Sequence, residues 1–307
     1  MSAAWVAGSV RARAMASRRI GTAGVRALAS AGSLQAAVDA LAHSPYGPRV
    51  RGGDTLPAAA RGVAASLLWN LRVLAGWLPA KGAEMLRALA GWFEIANVDE
   101  HLHALAGHGA TAPFELGTLA MAWPQLARTS SLDELRDALT ASVWGDPRGS
   151  TAREIQLSMR FAWADRVVAR VPQATSWALG AVALVLAREQ VARQVPVPDG
   201  AAARATALVG PGWITAGSLD ALRAGLPMAA RWALDDLTDI VHLWLWEVRW
   251  WRRVRAEARA LWAHHAFGPD RVVGAAALLA ADAWLVTGAL ETAARGPADS
   301  EVLDALA

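Results

Sequence analysis

Cysteine is absent from the 307-residue chain, which excludes a disulfide framework, a thiolate metal site and a cysteine nucleophile. Lysine occurs only at Lys81 and asparagine only at Asn70 and Asn97, so arginine supplies almost all of the positive charge. The sequence also lacks a P-loop, a GxGxxG pattern and a GxSxG nucleophile motif. We therefore expect a binding or structural protein with no cofactor rather than an enzyme.

Composition predicts the fold class. Hydrophobic residues make up 54% and charged residues 19% of the chain, a balance that excludes intrinsic disorder. Alanine and leucine dominate and runs of β-branched residues are few, which indicates an all-α fold. The net charge is only +3, and the isoelectric point of 10.3 reflects the ordinary basicity of arginine rather than a large charge excess.

The N-terminal segment is rich in Arg, Ala and Ser, and the first acidic residue is Asp39. Such a segment is typical of a transit peptide, of a basic arm for nucleic acid or of the first helix of a folded protein. Because the whole chain shares the arginine and alanine bias, we expect residues 5–28 to begin the folded structure. The apolar residues expected to pack inward are Val6, Val10, Met15, Ile20 and Leu28.

Two long apolar stretches raise the question of a membrane span. Val171–Ala187 is shorter than the roughly 20 residues that a spanning helix needs, and Val272–Leu290 contains Asp282. We interpret both as buried helices, with a membrane-spanning segment as the alternative.

Apolar periodicity and turn residues place helices along most of the chain. The predicted ranges are 3–17, 22–30, 33–43, 58–78, 82–106, 131–142, 151–171, 174–194, 218–226, 228–263 and 269–294. Ser33, Ser131 and Ser218 are placed as N-caps, and Ser131 with Glu134 predicts a capping box.

An internal repeat is visible. Residues 33–47 read SLQAAVDALAHSPYG and residues 131–145 read SLDELRDALTASVWG, matching without a gap from Ser33/Ser131 to Gly47/Gly145. Each unit is a capped short helix with an apolar stripe and an aromatic–glycine stop. Residues 218–222 begin a weaker third copy. The repeat predicts related helical modules whose apolar faces pack on their neighbours.

The predicted helix 228–263 is rich in tryptophan and arginine. Two adjacent apolar stripes, one through Trp244 and Trp251 and one through Trp246 and Trp250, predict internal packing with arginine stems reaching water. A nucleic-acid groove is the alternative, and the acidic residues of the same segment disfavour it. We expect no nucleic-acid partner.

Two helical pairs place a carboxylate and an imidazole on one face: Glu100 with His103, and Asp239 with His242. Carboxylate-bridged di-metal bundles use such steps together with two further Glu residues, which cannot be identified here. We expect no metal site, and a helical carboxylate/His metal-dependent enzyme is the alternative.

The order of motifs resembles the C subunit (called d in eukaryotes) of V-type and archaeal A-type rotary ATPases. Five features of that family occur here in the same order along the chain. They are an opening aromatic with an Arg-x-Arg-Ala-Met pattern, Ser-Leu helices that end at an aromatic–glycine pair, paired helices that contain asparagine, a Gly-x-Leu loop and a late Gly-Pro-acidic-x-Val step. These motifs lie at residues 5–18, 33–47, 69–74, 95–98, 114–119, 131–145 and 267–272. The last helix departs from the family, because Ala281-Asp282 and Trp284 stand where members carry a more polar face.

The resemblance implies a single all-α subunit over residues 1–307, built as a funnel-like bundle of three pseudo-repeated modules near 1–110, 111–210 and 211–307. It implies a non-catalytic central-stalk subunit, peripheral to the membrane on its cytoplasmic side, that links the central-axle subunits to the proteolipid ring. The subunit would couple ATP hydrolysis or synthesis to proton or sodium transport. A membrane-associated helical protein of another role is a further alternative. Candidate partner-interface residues are Arg11, Arg13, Arg18, Arg19, Arg249, Arg252 and Arg253.

Overall fold

Helices form the fold in the computed structural model, which describes residues 2–264 and 266–296; these residues contain no strand. The all-α prediction is confirmed. The α-helices are α1 (Ala3–Ala16), α2 (Gly21–Ala29), α3 (Leu34–Ala42), α4 (Leu56–Ala75), α5 (Ala80–Leu105), α6 (Trp123–Leu126), α7 (Leu132–Thr140), α8 (Ala152–Arg170), α9 (Thr175–Leu186), α10 (Asp199–Val209), α11 (Leu219–Gly225), α12 (Met228–Arg231), α13 (Leu243–Ala263) and α14 (Pro269–Arg295).

Side-chain caps start several of these helices. Ser33, Ser131 and Ser218 each accept a hydrogen bond from the backbone N–H three residues on, as predicted. The expected capping box at Ser131 is incomplete, because Glu134 accepts from the N–H of Ser130 rather than returning to Ser131. A complete capping box that sequence reasoning missed starts α8 at Thr151.

The prediction of one helix over 228–263 is wrong. The chain leaves α12 through a short 3-10 turn, and Asp236 adopts a left-handed conformation with φ of 60°. Asp239 then caps the N–H of Val241, and α13 begins at Leu243. Two consecutive aspartates interrupt the helix because their short side chains favour turns and caps over helix interiors.

The tryptophans around α13 mostly pack internally, as predicted. The Trp246 indole donates to the carbonyl of Asp235 and the Trp250 indole to that of Trp177. Trp251 stacks on Trp284 with ring centroids 5.7 Å apart. Trp244 differs, since 44% of it is exposed.

A helix that was not predicted, α10, covers Asp199–Val209, and α9 continues into a π-helical turn at Ala187–Ala192. The segment was missed because its alanines carry little apolar periodicity between the proline-rich turn and Gly210.

The chain divides into two compact units, which we call unit 1 (residues 1–83 and 251–307) and unit 2 (residues 84–250). The boundaries of these two units differ from those of the three contiguous modules predicted from the sequence. That the three modules share one structure stays a prediction.

Unit 1 is built around α14, which packs against α1, α2, α3 and α4. Within the described residues α14 is the helix long and apolar enough to cross a membrane, and 78% of its most apolar window is buried. Such burial is typical of the core helix of a globular unit. The other apolar stretch is also buried, in α9 of unit 2.

α1 packs in unit 1 through small residues. The prediction that five apolar residues of segment 5–28 pack inward is therefore wrong in part. Met15 and Leu28 are buried and Ile20 is half-buried, but Val6 and Val10 are 37% and 55% exposed. The buried side of α1 contains Gly8 and other small residues, where an added Cβ at Gly8 would lie 2.3 Å from Leu78. This close approach leaves the valines on the solvent side.

Unit 2 has a core of residues from α5 to α8. Trp144, Ile155 and Leu135 are almost fully buried in it, and α8 also packs against α9 and α10. The repeat segments 33–47 and 131–145 form the same local structure in the two units. Ser44 and Ser142 each accept from the N–H two residues on, at 3.1 Å, and each donates to a leucine carbonyl.

Candidate functional site

Asp282 is the anchor of a candidate site in unit 1. It lies in the middle of α14, is 3% exposed, and accepts hydrogen bonds from the N–H groups of Ile20 and Gly21 at 3.3 and 2.9 Å. The Tyr46 hydroxyl, at the aromatic stop of the first repeat segment, donates to its Oδ2 at 2.9 Å. Burial raises the pKa of Tyr46, and the Asp282 carboxylate raises it further.

Glu94 makes the matching arrangement in unit 2. It lies in α5, is 1% exposed, and accepts from the N–H groups of Met121 and Ala122, each at 2.7 Å. The indole of Trp144, the aromatic of the second repeat segment, donates to Glu94 at 2.7 Å. In both units a buried carboxylate thus binds two consecutive backbone N–H groups and the aromatic that ends a Ser-Leu helix.

Glu189 is a third buried carboxylate, 3% exposed. It pairs with the guanidinium groups of Arg153 at 2.6 Å and Arg193 at 2.8 Å. Glu94, Glu189 and Asp282 lie 95 and 93 residues apart along the chain. Sequence reasoning missed the first two. Glu94 carried a signal, since it stands between Phe93 and Ile95 in a long helical pattern, whereas Glu189 stands between Arg188 and Gln190 and looks like an ordinary surface residue.

A cleft of about 500 Å³ opens in unit 1 beside Asp282 and Tyr46. Its walls come from the end of α1 and the turn after it, the segment after α3, and residues of α4 and α14. The arginines that line it are Arg11, Arg18, Arg19 and Arg49.

These arginines have distinct surroundings. The Nε of Arg11 is buried and finds no hydrogen-bond partner among the described residues. Arg19 donates to the carbonyl of Ala16 at 2.6 Å, and Arg49 lies over the Trp69 ring, 5.6 Å from its centroid. Burial lowers the pKa of Arg19, and the nearby Asp282 carboxylate opposes that shift.

The predicted interface arginines are therefore only partly brought together. Three of them, Arg11, Arg18 and Arg19, line the cleft, whereas Arg13 is exposed on α1 outside its lining. Positive charge continues from Arg19 onto α13. There the pKa of Arg255 is lowered by burial and then by the neighbouring charges of Arg259, Arg252 and Arg19.

Three predicted arginines remain, of which Arg252 is exposed on α13 and the other two contact their own helix. Arg249, in unit 2, lies over the Trp246 ring with its guanidinium carbon 4.6 Å from the centroid. Arg253, in unit 1, pairs with Glu257 at 2.7 Å.

The two carboxylate–histidine steps serve local structure. Glu100 accepts from the N–H of Thr111 at 2.9 Å, and Asp239 accepts from the N–H of Val241 while its other oxygen lies 3.7 Å from His242. Across residues 2–264 and 266–296, no three histidine or acidic side chains come together as metal ligands.

Comparison with known proteins finds no matching family model and no characterised protein with significant similarity to this chain.

Proposed function

We propose that this protein is a non-catalytic central-stalk subunit of a V-type or A-type rotary ATPase, seated between the axle and the membrane proteolipid ring. It would lie at the cytoplasmic side of the membrane as a peripheral component. In that role it passes torque between ATP hydrolysis or synthesis and proton or sodium transport.

The observation that carries the proposal is that a buried carboxylate makes the same set of hydrogen bonds in both units. Asp282 and Glu94 each bind a pair of backbone N–H groups and the aromatic stop of a Ser-Leu segment. These two segments are among the motifs whose order resembles the C/d subunits, so two of those motifs coincide with a repeated local structure. A chain built of related helical modules suits a part that holds two partners rigidly.

The arginines of unit 1 supply a candidate contact surface for an acidic partner. Each exposed ion pair contributes only about 0–1 kcal/mol, so single substitutions should have little effect on assembly. Reversing the two exposed arginines, Arg13 and Arg18, together to glutamate should weaken the attachment of the subunit to the membrane complex, whereas Arg11 and Arg19 are half-buried and their reversal would also disturb the fold. Normal assembly with Arg13 and Arg18 both reversed would show that this face lies outside the interface.

A gene deletion tests the coupling role. Membrane vesicles from the deletion strain should retain detectable ATP hydrolysis by the head subunits and lose ion pumping. Restoring the gene should restore pumping. Normal pumping without the subunit, or ATP hydrolysis by the purified protein alone, would refute the proposal.

Membrane extraction tests the peripheral placement. The burial of α14 inside unit 1 favours a subunit that alkaline carbonate releases from membranes. Retention in the bilayer until detergent is added would instead favour the integral membrane alternative, and stoichiometric metal in the purified protein would favour the metal-enzyme alternative.

A further inference from the structure

The cleft beside Asp282 has more positive than negative charge. Four arginines line it, and Asp282 is the one carboxylate of that lining. The oxygens of Asp282 already accept hydrogen bonds from Ile20, Gly21 and Tyr46. The aspartate is thus held as part of the fold, and the arginines are left with an excess of positive charge facing the cleft.

We propose that this cleft binds a phosphate-bearing ligand. Guanidinium groups recognise phosphate through paired, charge-assisted N–H···O bonds, and a phosphate has enough oxygens and charge for several of them at once. A carboxylate has two oxygens and one charge, which a single arginine can satisfy. The convergence of Arg11, Arg18 and Arg49 in one lining therefore fits phosphate better than carboxylate.

Arg11 is held in the lining with one unsatisfied donor. Its Nε is buried without a hydrogen-bond partner among the described residues, so this atom is closed to a ligand in the cleft, and a contact by Arg11 would come from its terminal N–H₂ groups. Asn70 lines the same cleft, and its amide nitrogen donates to the Ser66 carbonyl, which fixes the amide within the lining.

The size of the cleft indicates more than a single phosphate ion. About 500 Å³ is within the range of sites for small organic molecules, whereas one water takes up roughly 30 Å³ of liquid. Apolar wall is contributed by Leu67, Trp69 and Leu279. A ligand with a phosphate or pyrophosphate head and an apolar part, either a soluble organic phosphate or a phospholipid headgroup, matches these walls. The inference does not depend on the proposed function.

Titration calorimetry with inorganic pyrophosphate tests the site directly. The wild-type protein should bind pyrophosphate, and the affinity should fall as salt is raised, because screening weakens charge attraction. Arg11→Gln and Arg18→Gln should each weaken binding by about tenfold, as expected for the loss of a hydrogen bond to a charged group. Arg18 is exposed, so Arg18→Gln is expected to leave the fold intact even if Arg11→Gln does not.

Arg13→Gln is the matched control, since Arg13 lies on the same helix two residues from Arg11 but outside the lining. It removes the same charge and should leave pyrophosphate affinity within about twofold of the wild type. Equal loss in Arg13→Gln and Arg18→Gln would mean non-specific attraction and would overturn the proposal. Absence of binding to both pyrophosphate and lipid would overturn it as well.

Vesicle flotation separates the two sources of phosphate. One arm uses phosphatidylcholine vesicles and the other adds phosphatidic acid, each with the wild type, Arg18→Gln and Arg13→Gln. Binding to phosphatidic acid that Arg18→Gln alone weakens assigns a lipid headgroup to the cleft. Pyrophosphate binding without vesicle binding assigns a soluble phosphate ligand.

Discussion

The hydroxyl of Tyr46 donates a hydrogen bond of 2.9 Å to Asp282, a residue 236 positions further along the chain. Both side chains are buried, at 7% and 3% exposure. The bond joins the end of the first repeat segment to the middle of α14. Because the same carboxylate also holds the start of α2, one side chain fixes three parts of unit 1.

Replacing Tyr46 by phenylalanine should lower the free energy of unfolding by about 2 kcal/mol, since a hydrogen bond to a buried charged group is lost while the ring remains. Urea denaturation measures the change. A double-mutant cycle with Asp282→Asn isolates the pair, and the two substitutions together should cost less than the sum of the single effects. Strict additivity would contradict a direct interaction.

Tyr46 is the only tyrosine in the chain, so its ionisation can be followed without interference from another phenol. Because burial and Asp282 raise the pKa of Tyr46, the phenolate absorbance near 295 nm should not develop around pH 10 in the folded protein. The unfolded chain ionises there, so the free energy of unfolding should fall as pH rises above about 10. Tyr46→Phe should remove this part of the pH dependence. A phenolate signal at pH 10 without unfolding would disprove the burial of the hydroxyl.

Glu94→Gln should destabilise unit 2 by about 2–3 kcal/mol. One oxygen of Glu94 accepts hydrogen bonds from Ala122 and Trp144, and the other accepts from Met121. Glutamine keeps the shape of the side chain but replaces one of these oxygens by an N–H₂ group, which cannot accept, so at least the bond from Met121 is lost if the remaining oxygen keeps the other two. Thermal and urea unfolding give the magnitude. Glu84→Gln on the same helix is the control. Glu84 is about half exposed and its ion pair with Arg170 is long at 3.8 Å, so the substitution should change the free energy of unfolding by no more than about 0.5 kcal/mol.

Gly62→Ala should destabilise the protein although alanine is the better helix former. An added Cβ at Gly62 would lie 2.3 Å from the backbone oxygen of Arg49, so the backbone of one segment would have to move. We expect a loss of about 1–3 kcal/mol in urea denaturation. Gly76→Ala, at the end of the same helix, meets nothing closer than 3.5 Å and should change stability little. An unchanged Gly62→Ala protein would show that the contact is loose.

Local signals in the sequence determined much of the fold. The serine caps at Ser33, Ser131 and Ser218 and the short helices after them formed as expected, because capping and apolar periodicity act within a few residues. Two consecutive aspartates ended the helix predicted over 228–263, a turn preference that the strong apolar pattern around them concealed.

The site was less predictable, because it depends on contacts between distant segments. Asp282 is visible in the sequence as a charge within an apolar run, but its donors lie more than 230 positions away. The arginines near the N-terminus were candidates for contact with an acidic partner, in the role that the family resemblance implies. That Arg11 and Arg18 share a cleft with Arg49, while Arg13 does not, follows from the packing of α1 against α4 and α14.

The central position of α14 also affects the order in which the protein can mature on the ribosome. The helices α1 to α4 are synthesised before unit 2, but α14, which covers their apolar faces, is synthesised after it. Until then these faces lack their native cover, while every residue of unit 2 is already available for its own packing. Vectorial synthesis therefore gives the middle of the chain the first opportunity to fold, and the two ends join only when translation has passed residue 295.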